Sequence, residues 1–274
     1  MLKILAVAIN EDNHEDSLFT QLKNGDFRIC FASPETLLRN PKFKKLFWSE
    51  EFRRRIPALV VDECHVLEMW KDEFRKDYDE LETLKIIAGS EIPWMALTAT
   101  SSTETFELVY NALGLGIQRP FWGIDMGADR PNLAQWIRPM EYSVSSMADL
   151  MAFIPKSPTG LESFKKTIFY YKTRQLARQG LKLCRSLVPR EFRTAMYVYT
   201  ATGSDEYKTE LTDLFKKNKT RWVHATIALG MGLDIPDIEQ VVIWGVGNLK
   251  DAYQQGGRAG RDRSLAATMI WEIG

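Results

Sequence analysis

The stretch IPALVVDECH, Ile56 to His65, decides the fold. Its apolar run, Pro57 to Val61, is short, aliphatic and β-branched, and it ends abruptly in Asp62 and Glu63. Such a run reads as a strand buried on both faces, the kind found in a parallel sheet. In an open parallel sheet, ligands bind beyond the carboxyl ends of the strands. A carboxylate at that end can hold Mg2+ through water against nucleotide phosphates. Its neighbour is placed to orient or deprotonate an attacking water. Asp62 is therefore the candidate metal-anchoring acid and Glu63 the candidate base. Taken alone, the stretch equally describes a strand that ends in solvated acids.

Outward from this point the chain alternates short β-rich apolar runs with longer amphipathic stretches, which predicts α/β architecture with mostly parallel sheet. The opening run before Glu11 and Asp12 reads as a buried strand. Further strands are expected at Phe27–Ala32, Pro57–Asp62, Pro93–Leu97, Leu133–Pro139, Thr167–Tyr171, Thr194–Tyr199, Arg221–Ala225, Glu239–Trp244 and Ala267–Ile273. Helices are expected at Asp16–Lys23, Pro34–Arg39, Lys44–Arg54, Asp72–Ala88, Thr103–Leu113, Thr173–Leu187, Asp205–Lys217 and Leu249–Gly256. The stretch RPFWGIDMGADRPN, Arg119 to Asn132, is rich in Gly, Pro and Asp and reads as a domain boundary, giving units 1–118 and 119–274.

Composition excludes some classes. The chain has 274 residues, enough for two modest cores, and 45% of them are hydrophobic. No apolar run approaches a membrane span, so no membrane partner is expected. The 36 basic residues balance 36 acidic ones, so net charge gives no argument for nucleic acid. Three scattered cysteines, with no C-x-x-C pair, predict no zinc module.

Three further stretches carry chemistry. MALTAT, Met95 to Thr100, ends a second strand in hydroxyls that can bond an acid, backbone or each other; alone it reads better as a strand leading into a helix cap. VHATIALGMGLDIPD, Val223 to Asp237, offers Gly230 and Gly232 for close backbone approach and Asp234 in a turn. YQQGGRAGRD, Tyr253 to Asp262, sets Arg258 and Arg261 three residues apart, on one face if helical. Arginine suits the stabilisation of charge on a transferring phosphoryl group.

The order of these stretches is more informative than any one of them. DECH (62–65), Thr98-Ala99-Thr100, GMGLD (230–234) and GRAGR (257–261) resemble motifs II, III, V and VI of superfamily 2 helicases. TIFYYKTR (167–174) resembles motif IV, and FASPE (31–35) resembles motif Ib. The wording after DECH, VLEMWKDEFRKDY (66–78), resembles the aromatic-rich loop of the RecQ family, and ADRPNL (128–133) resembles that family's lead into the second lobe.

The resemblance implies two RecA-like lobes, the first incomplete, and an ATP-dependent 3′-to-5′ DNA helicase core. ATP and Mg2+ would be the nucleotide and metal, single-stranded or partly duplex DNA the partner, and the nucleus the location. Residue by residue, Asp62 would anchor magnesium, Glu63 would activate water, and Arg258 and Arg261 would reach the phosphates, Arg261 being the better arginine-finger candidate. His65, Thr98, Thr100, Gly232, Asp234 and Gln254 would serve the nucleotide site and its coupling to DNA. Ser33, Trp70, Phe74, Arg75, Arg174 and Thr226 would contact DNA, by stacking or along its backbone. The sequence departs from the family at Met69, Lys71 and Asp72, at Leu229 in place of a common Phe, and at Gly256 in place of a common Ile.

No G-x-x-x-x-G-K-S/T phosphate-binding loop occurs in the sequence. Leu2–Asp12 resembles the strand that follows motif Ia, so the chain reads as starting just downstream of it. Without that loop's amides and lysine, turnover by this chain alone is not expected. The first lobe is expected to be marginal and the second self-contained. A non-catalytic, nucleic-acid-binding paralogue is the alternative reading, with Lys42–Arg55 as local positive charge. An RNA-directed translocase is disfavoured by the aromatic loop and ADRPNL.

Overall fold

The structure is a computed structural model and describes residues 4–10, 15–67, 75–127, 129–230 and 234–274. The chain forms two compact units, Met1–Asp125 and Met126–Gly274. Their division falls inside the Gly/Pro/Asp-rich stretch 119–132, a few residues beyond the expected 118/119.

The first unit contains four described strands in two parallel pairs. β1 (Ala6–Ile9) pairs with β2 (Ile29–Ala32), and β3 (Leu59–Val61) pairs with β4 (Trp94–Ala96). Around them lie α1 (Asp16–Asn24), α2 (Pro34–Arg39), α3 (Pro41–Phe47), α4 (Glu50–Arg53), α5 (described over Arg75–Ala88) and α6 (Thr103–Leu113). The expected single helix Lys44–Arg54 is two helices. Asn40 caps the first, accepting from Lys42 N and Phe43 N, and Pro41 fills its first position, where a missing N–H costs nothing. Ser49 then turns extended, and the Arg53 guanidinium donates to the Trp48 carbonyl at 2.8 Å, closing the end of α3. The expected strand 57–62 is only Leu59–Val61, so Asp62 sits in the turn beyond it.

The strands of this unit are incompletely covered. Ile29 and Phe31 of β2, Val60 of β3 and Met95 of β4 are all exposed, Phe31 by 60%. Val60 and Met95 are register partners, so one face of the β3–β4 pair is open.

The second unit is a six-stranded parallel sheet in the order β5-β10-β9-β6-β8-β7. Its strands are β5 (Leu133–Pro139), β6 (Thr167–Tyr171), β7 (Met196–Tyr199), β8 (Trp222–Ala225), β9 (Gln240–Trp244) and β10 (Ala267–Ile273). Its helices are α7 (Arg174–Leu187), α8 (Asp205–Lys216) and α9 (Leu249–Gly256). Thr173, Ser204 and Asn248 cap them by accepting from Leu176 N, Tyr207 N and Lys250 N, each worth about 1 kcal/mol. The expected strand from Thr194 starts at Met196, because Arg190–Ala195 winds into a 3-10 turn.

The centre of this sheet is dry on both faces. Every residue of β6, β8 and β9 is buried. Ile168, Tyr170, Val223 and Ile243 face one core, and Phe169, Tyr171, Trp222 and Trp244 face the other. The crossover from β8 to β9 passes over β6, which makes β6 the strand at which the order reverses.

Candidate functional site

In the first unit, five of the expected site residues meet where β3 and β4 end. The pairing of the strands continues beyond them: Leu97 N donates to Val61 O at 2.9 Å, and Cys64 N donates to Leu97 O at 3.0 Å. This brings the DECH turn beside Thr98. His65 Nδ1 lies 3.0 Å from Thr98 Oγ1 and 3.3 Å from Glu63 Oε2. The Thr98 hydroxyl donates to Thr100 O at 2.9 Å and accepts from Thr100 N at 3.2 Å. Glu63 N donates to Asp62 Oδ1 at 2.9 Å. Glu63 holds φ of +50°, a left-handed conformation uncommon for a residue with a side chain. Both carboxylates are exposed while Cys64 and Leu67 anchor the turn in the core. The result is an acid pair held out at a strand end, joined through one imidazole to the hydroxyls of the next strand.

Ser33 sits at the end of β2 as the cap of α2, its Oγ accepting from Thr36 N. Trp70, Phe74 and Gly232 lie outside the described residues, as does the side chain of Arg75.

The second unit divides its expected residues into two groups. One lies at the carboxyl ends of the strands: Arg174 follows β6, Thr226 follows β8, and Arg174 Nη1 donates to Thr202 Oγ1 beyond β7. Thr202 was not singled out from the sequence, where it stands in a plain polar turn.

The other group lies at the amino ends of β5, β9 and β10, in the connections that return to them. Gly260 N donates to Ile238 O and Asp262 N to Pro236 O, so the GRAGRD turn rests on the chain entering β9. Arg261 Nη1 donates to Asp234 Oδ1 at 2.9 Å. Arg258 is buried at 8% exposure, whereas the Arg261 side chain is 36% exposed. The two arginines thus differ in surroundings; the shared face of a three-residue spacing requires a helix, and the helix ends at Gly256. Both charges act on the buried Tyr170 hydroxyl, offsetting part of the rise that burial causes; its pKa is about 12. Gln254 is half-buried on α9.

Sequence reasoning also missed Arg130 and Asn132 as individuals. Arg130 donates to the carbonyls of Gly257, Ala259 and Gly260, and Asn132 to those of Gly260 and Leu265. They were visible only as part of ADRPNL.

The donor set bears on metal chemistry. Among the described residues no group of three or more His, Cys, Asp or Glu is arranged to hold a metal ion. A single exposed carboxylate fits Mg2+, which keeps most of its waters and takes phosphate oxygens as further ligands. Also among the described residues, no helix is long and apolar enough to cross a membrane.

Residues 147–263 match the helicase conserved C-terminal domain. The ATP-dependent helicase wrn-1 of Caenorhabditis elegans is 30% identical over 271 residues, covering 96% of this chain and 24% of that protein. The ATP-dependent DNA helicase RecQ of Haemophilus influenzae is 26% identical, covering 92% of this chain and 37% of that protein. A protein of Acanthamoeba polyphaga mimivirus, provisionally named an ATP-dependent RNA helicase, is 30% identical over 86% of this chain and 40% of its own length. The chain therefore spans well under half the length of each of these relatives. Among solved structures, the DUF1998 helicase MrfA bound to DNA has a TM-score of 0.71 at 19% identity, covering 100% of this chain and 38% of that one. A DEAD-box helicase bound to single-stranded RNA has a TM-score of 0.67 at 17% identity, covering 98% and 53%.

The fold is that of RecA-like helicase lobes. The chain is similar in sequence to RecQ-type helicases, and its residues 147–263 match the helicase conserved C-terminal domain.

Proposed function

We propose that this chain is part of a RecQ-type helicase core in which ATP hydrolysis drives 3′-to-5′ movement along DNA and strand separation. The observation that carries the reading is the junction at the ends of β3 and β4. There His65 joins the Asp62–Glu63 turn to the Thr98–Thr100 hydroxyls, a connection through which a change at the acids reaches a second strand. Asp62 is the residue that would hold Mg2+, through water, and the ion would neutralise phosphate charge. Glu63 orients and deprotonates water. Arg261 faces phosphate, with Asp234 as its partner in the absence of nucleotide. Gln254 and Thr100 belong to the same nucleotide-handling set. Ser33 in the first unit, and Arg174 and Thr226 in the second, are each assigned to contact with the DNA backbone, with Thr202 beside Arg174, and Trp70, Phe74 and Arg75 to stacking and charge.

The test is ATP hydrolysis with and without single-stranded DNA. Within a helicase core that supplies the phosphate-binding loop, stimulation by DNA, lost by about 10²-fold or more in Glu63→Gln with ATP binding intact, is the expected result; from this chain alone, whose sequence holds no such loop, no turnover is expected. Equal rates in the parent and Glu63→Gln would end the assignment of Glu63. Competition between DNA and RNA of one sequence decides the strand chemistry, since relatives are named for both. Location in the nucleus, with a part in repair or recombination, follows from work on DNA; imaging of a tagged chain checks it.

A second reading is a nucleic-acid-binding module without turnover. The burial of Arg258 and the engagement of Arg261 by Asp234 favour it. DNA binding with no hydrolysis even when the phosphate-binding loop is supplied would select this reading.

A further inference from the structure

After α9 the chain runs from Gly257 to Leu265 without helix or strand before β10 begins at Ala267. Carbonyls in such a stretch have no ladder to join and need donors from elsewhere. Two side chains supply them. Arg130 Nη1 donates to Gly257 O at 2.8 Å, while Nη2 reaches Ala259 O at 3.0 Å and Gly260 O at 2.5 Å. Asn132 Nδ2 donates to Gly260 O at 2.8 Å and Leu265 O at 2.9 Å. The guanidinium is a rigid planar fork, so three carbonyls on one fork have little freedom relative to one another.

Gly260 is the pivot of the arrangement. Its oxygen accepts from both side chains, and its nitrogen donates to Ile238 O at 2.8 Å. Its φ is +55°, and a Cβ there would lie 2.7 Å from Asn132 Nδ2 and 2.8 Å from Ala267 Cβ. The next residue is Arg261, so the backbone of Gly260 sets where that side chain starts.

We propose that Arg130 and Asn132 are positioning residues that clamp the 257–265 backbone and thereby fix how Arg261 is presented. The inference rests on the reading of Arg261 as phosphate-facing. Neither residue is catalytic: the hydrogen bonds they make go to backbone carbonyls. Arg130 also stands close to the arginines it positions. Burial first, and then the charges of Arg261 and Arg263, pull its guanidinium below the ordinary value. Like charges stay together there because the Arg130 donors are engaged by carbonyl dipoles.

The test compares the full chain with Arg130→Lys and Asn132→Asp. Lysine keeps the charge but is a point donor that cannot fork over three carbonyls. Aspartate keeps the shape but turns an oxygen toward the oxygens of Gly260 and Leu265. Hydrogen exchange over 257–265 is expected to speed at least tenfold in both variants, with β6 and β9 as slow as in the parent. The Nε–Hε NMR signal of Arg261 is expected to move in both. Where the parent hydrolyses ATP, kcat should fall at least tenfold with KM for ATP within about threefold.

Unchanged exchange over 257–265 overturns the clamp. A loosened segment with an unmoved Arg261 signal overturns the positioning role. Absence of hydrolysis in the parent leaves the clamp open to refutation all the same, because exchange and the Arg261 signal decide it; failure of hydrolysis with the phosphate-binding loop supplied counts against the helicase reading alone. If one variant fails to fold, the other carries the same readouts.

Discussion

His224 has its imidazole sealed inside the second unit. Its ring stacks on Phe169 at 4.9 Å between centroids and on Tyr171 at 5.7 Å, and its Nδ1 lies 2.8 Å from the Tyr171 hydroxyl. Burial, reinforced by the Arg185 charge, pushes its pKa from 6.5 down to about 3. Between those values the unfolded chain binds a proton that the folded chain refuses. Stability is therefore full above pH 6.5 and falls as the pH drops toward 3, by an amount on the order of a few kcal/mol. Urea melts of the parent and His224→Gln at pH 7.5, 6 and 5 should show a shallower loss in the variant; parallel slopes would rule out His224 as the titrating group. Nothing in the sequence sets this histidine apart from a candidate ligand. Asp62 and Glu63 stand out in the sequence only through the ordered motifs around them, because two acids at the end of an apolar run equally describe a solvated strand end; their position just beyond β3 was legible there. The left-handed backbone of Glu63 was not, since it follows from how the turn meets Leu97.

At the scale of elements, α9 against β10 shows how a departure from family pattern is absorbed. Gly256 ends α9, and a Cβ there would fall 1.6 Å from Met269 Sδ, inside the volume Met269 already fills. Met269 is buried, so its side chain has to repack among core neighbours to make room. Gly256→Ala is expected to cost about 1–3 kcal/mol from overpacking, despite the better helix propensity of alanine. In a Met269→Ala background the same change should be neutral or stabilising. Urea denaturation of the four proteins measures this; additive effects would mean that the two residues do not compete for space. Glu15 before α1 and Ser49 before α4 make no side-chain cap bond, so helix caps were readable only in part, as at Thr173 and Ser204. The break between α3 and α4 was not, because the Arg53 guanidinium that closes α3 acts across a turn.

At the scale of the whole molecule, the two units differ in how much of their sheet is covered. The second has three strands buried at every position. It also carries polar anchors at the edge of its core: the buried Lys166 Nζ on Asp237 Oδ1 at 2.7 Å, and the half-buried Arg221 on Glu239 and on Phe164 O. The first leaves Ile29, Phe31, Val60 and Met95 in water. Paired strands with one open apolar face are marginal, since each gains about half the burial of a central strand. Hydrogen exchange of the full chain should therefore show β6, β8 and β9 as the slowest amides, and β1 to β4 exchanging at least 10²-fold faster. Equal protection in both units would contradict this account of their stability.

The sequence by itself determined the alternating α/β order, the strand-end acids, the glycine–arginine turn and the resemblance that the relatives share. These are local patterns, written in periodicity and in neighbouring residues. Only the tertiary structure decided which side chains meet: His65 with Thr98, Arg174 with Thr202, Arg261 with Asp234, and Arg130 with the turn from Gly257 to Gly260. Each of those pairs is separated by 27 or more positions in the chain. Strand register and the return path of each crossover bring them together, and neither is encoded in any short window of residues.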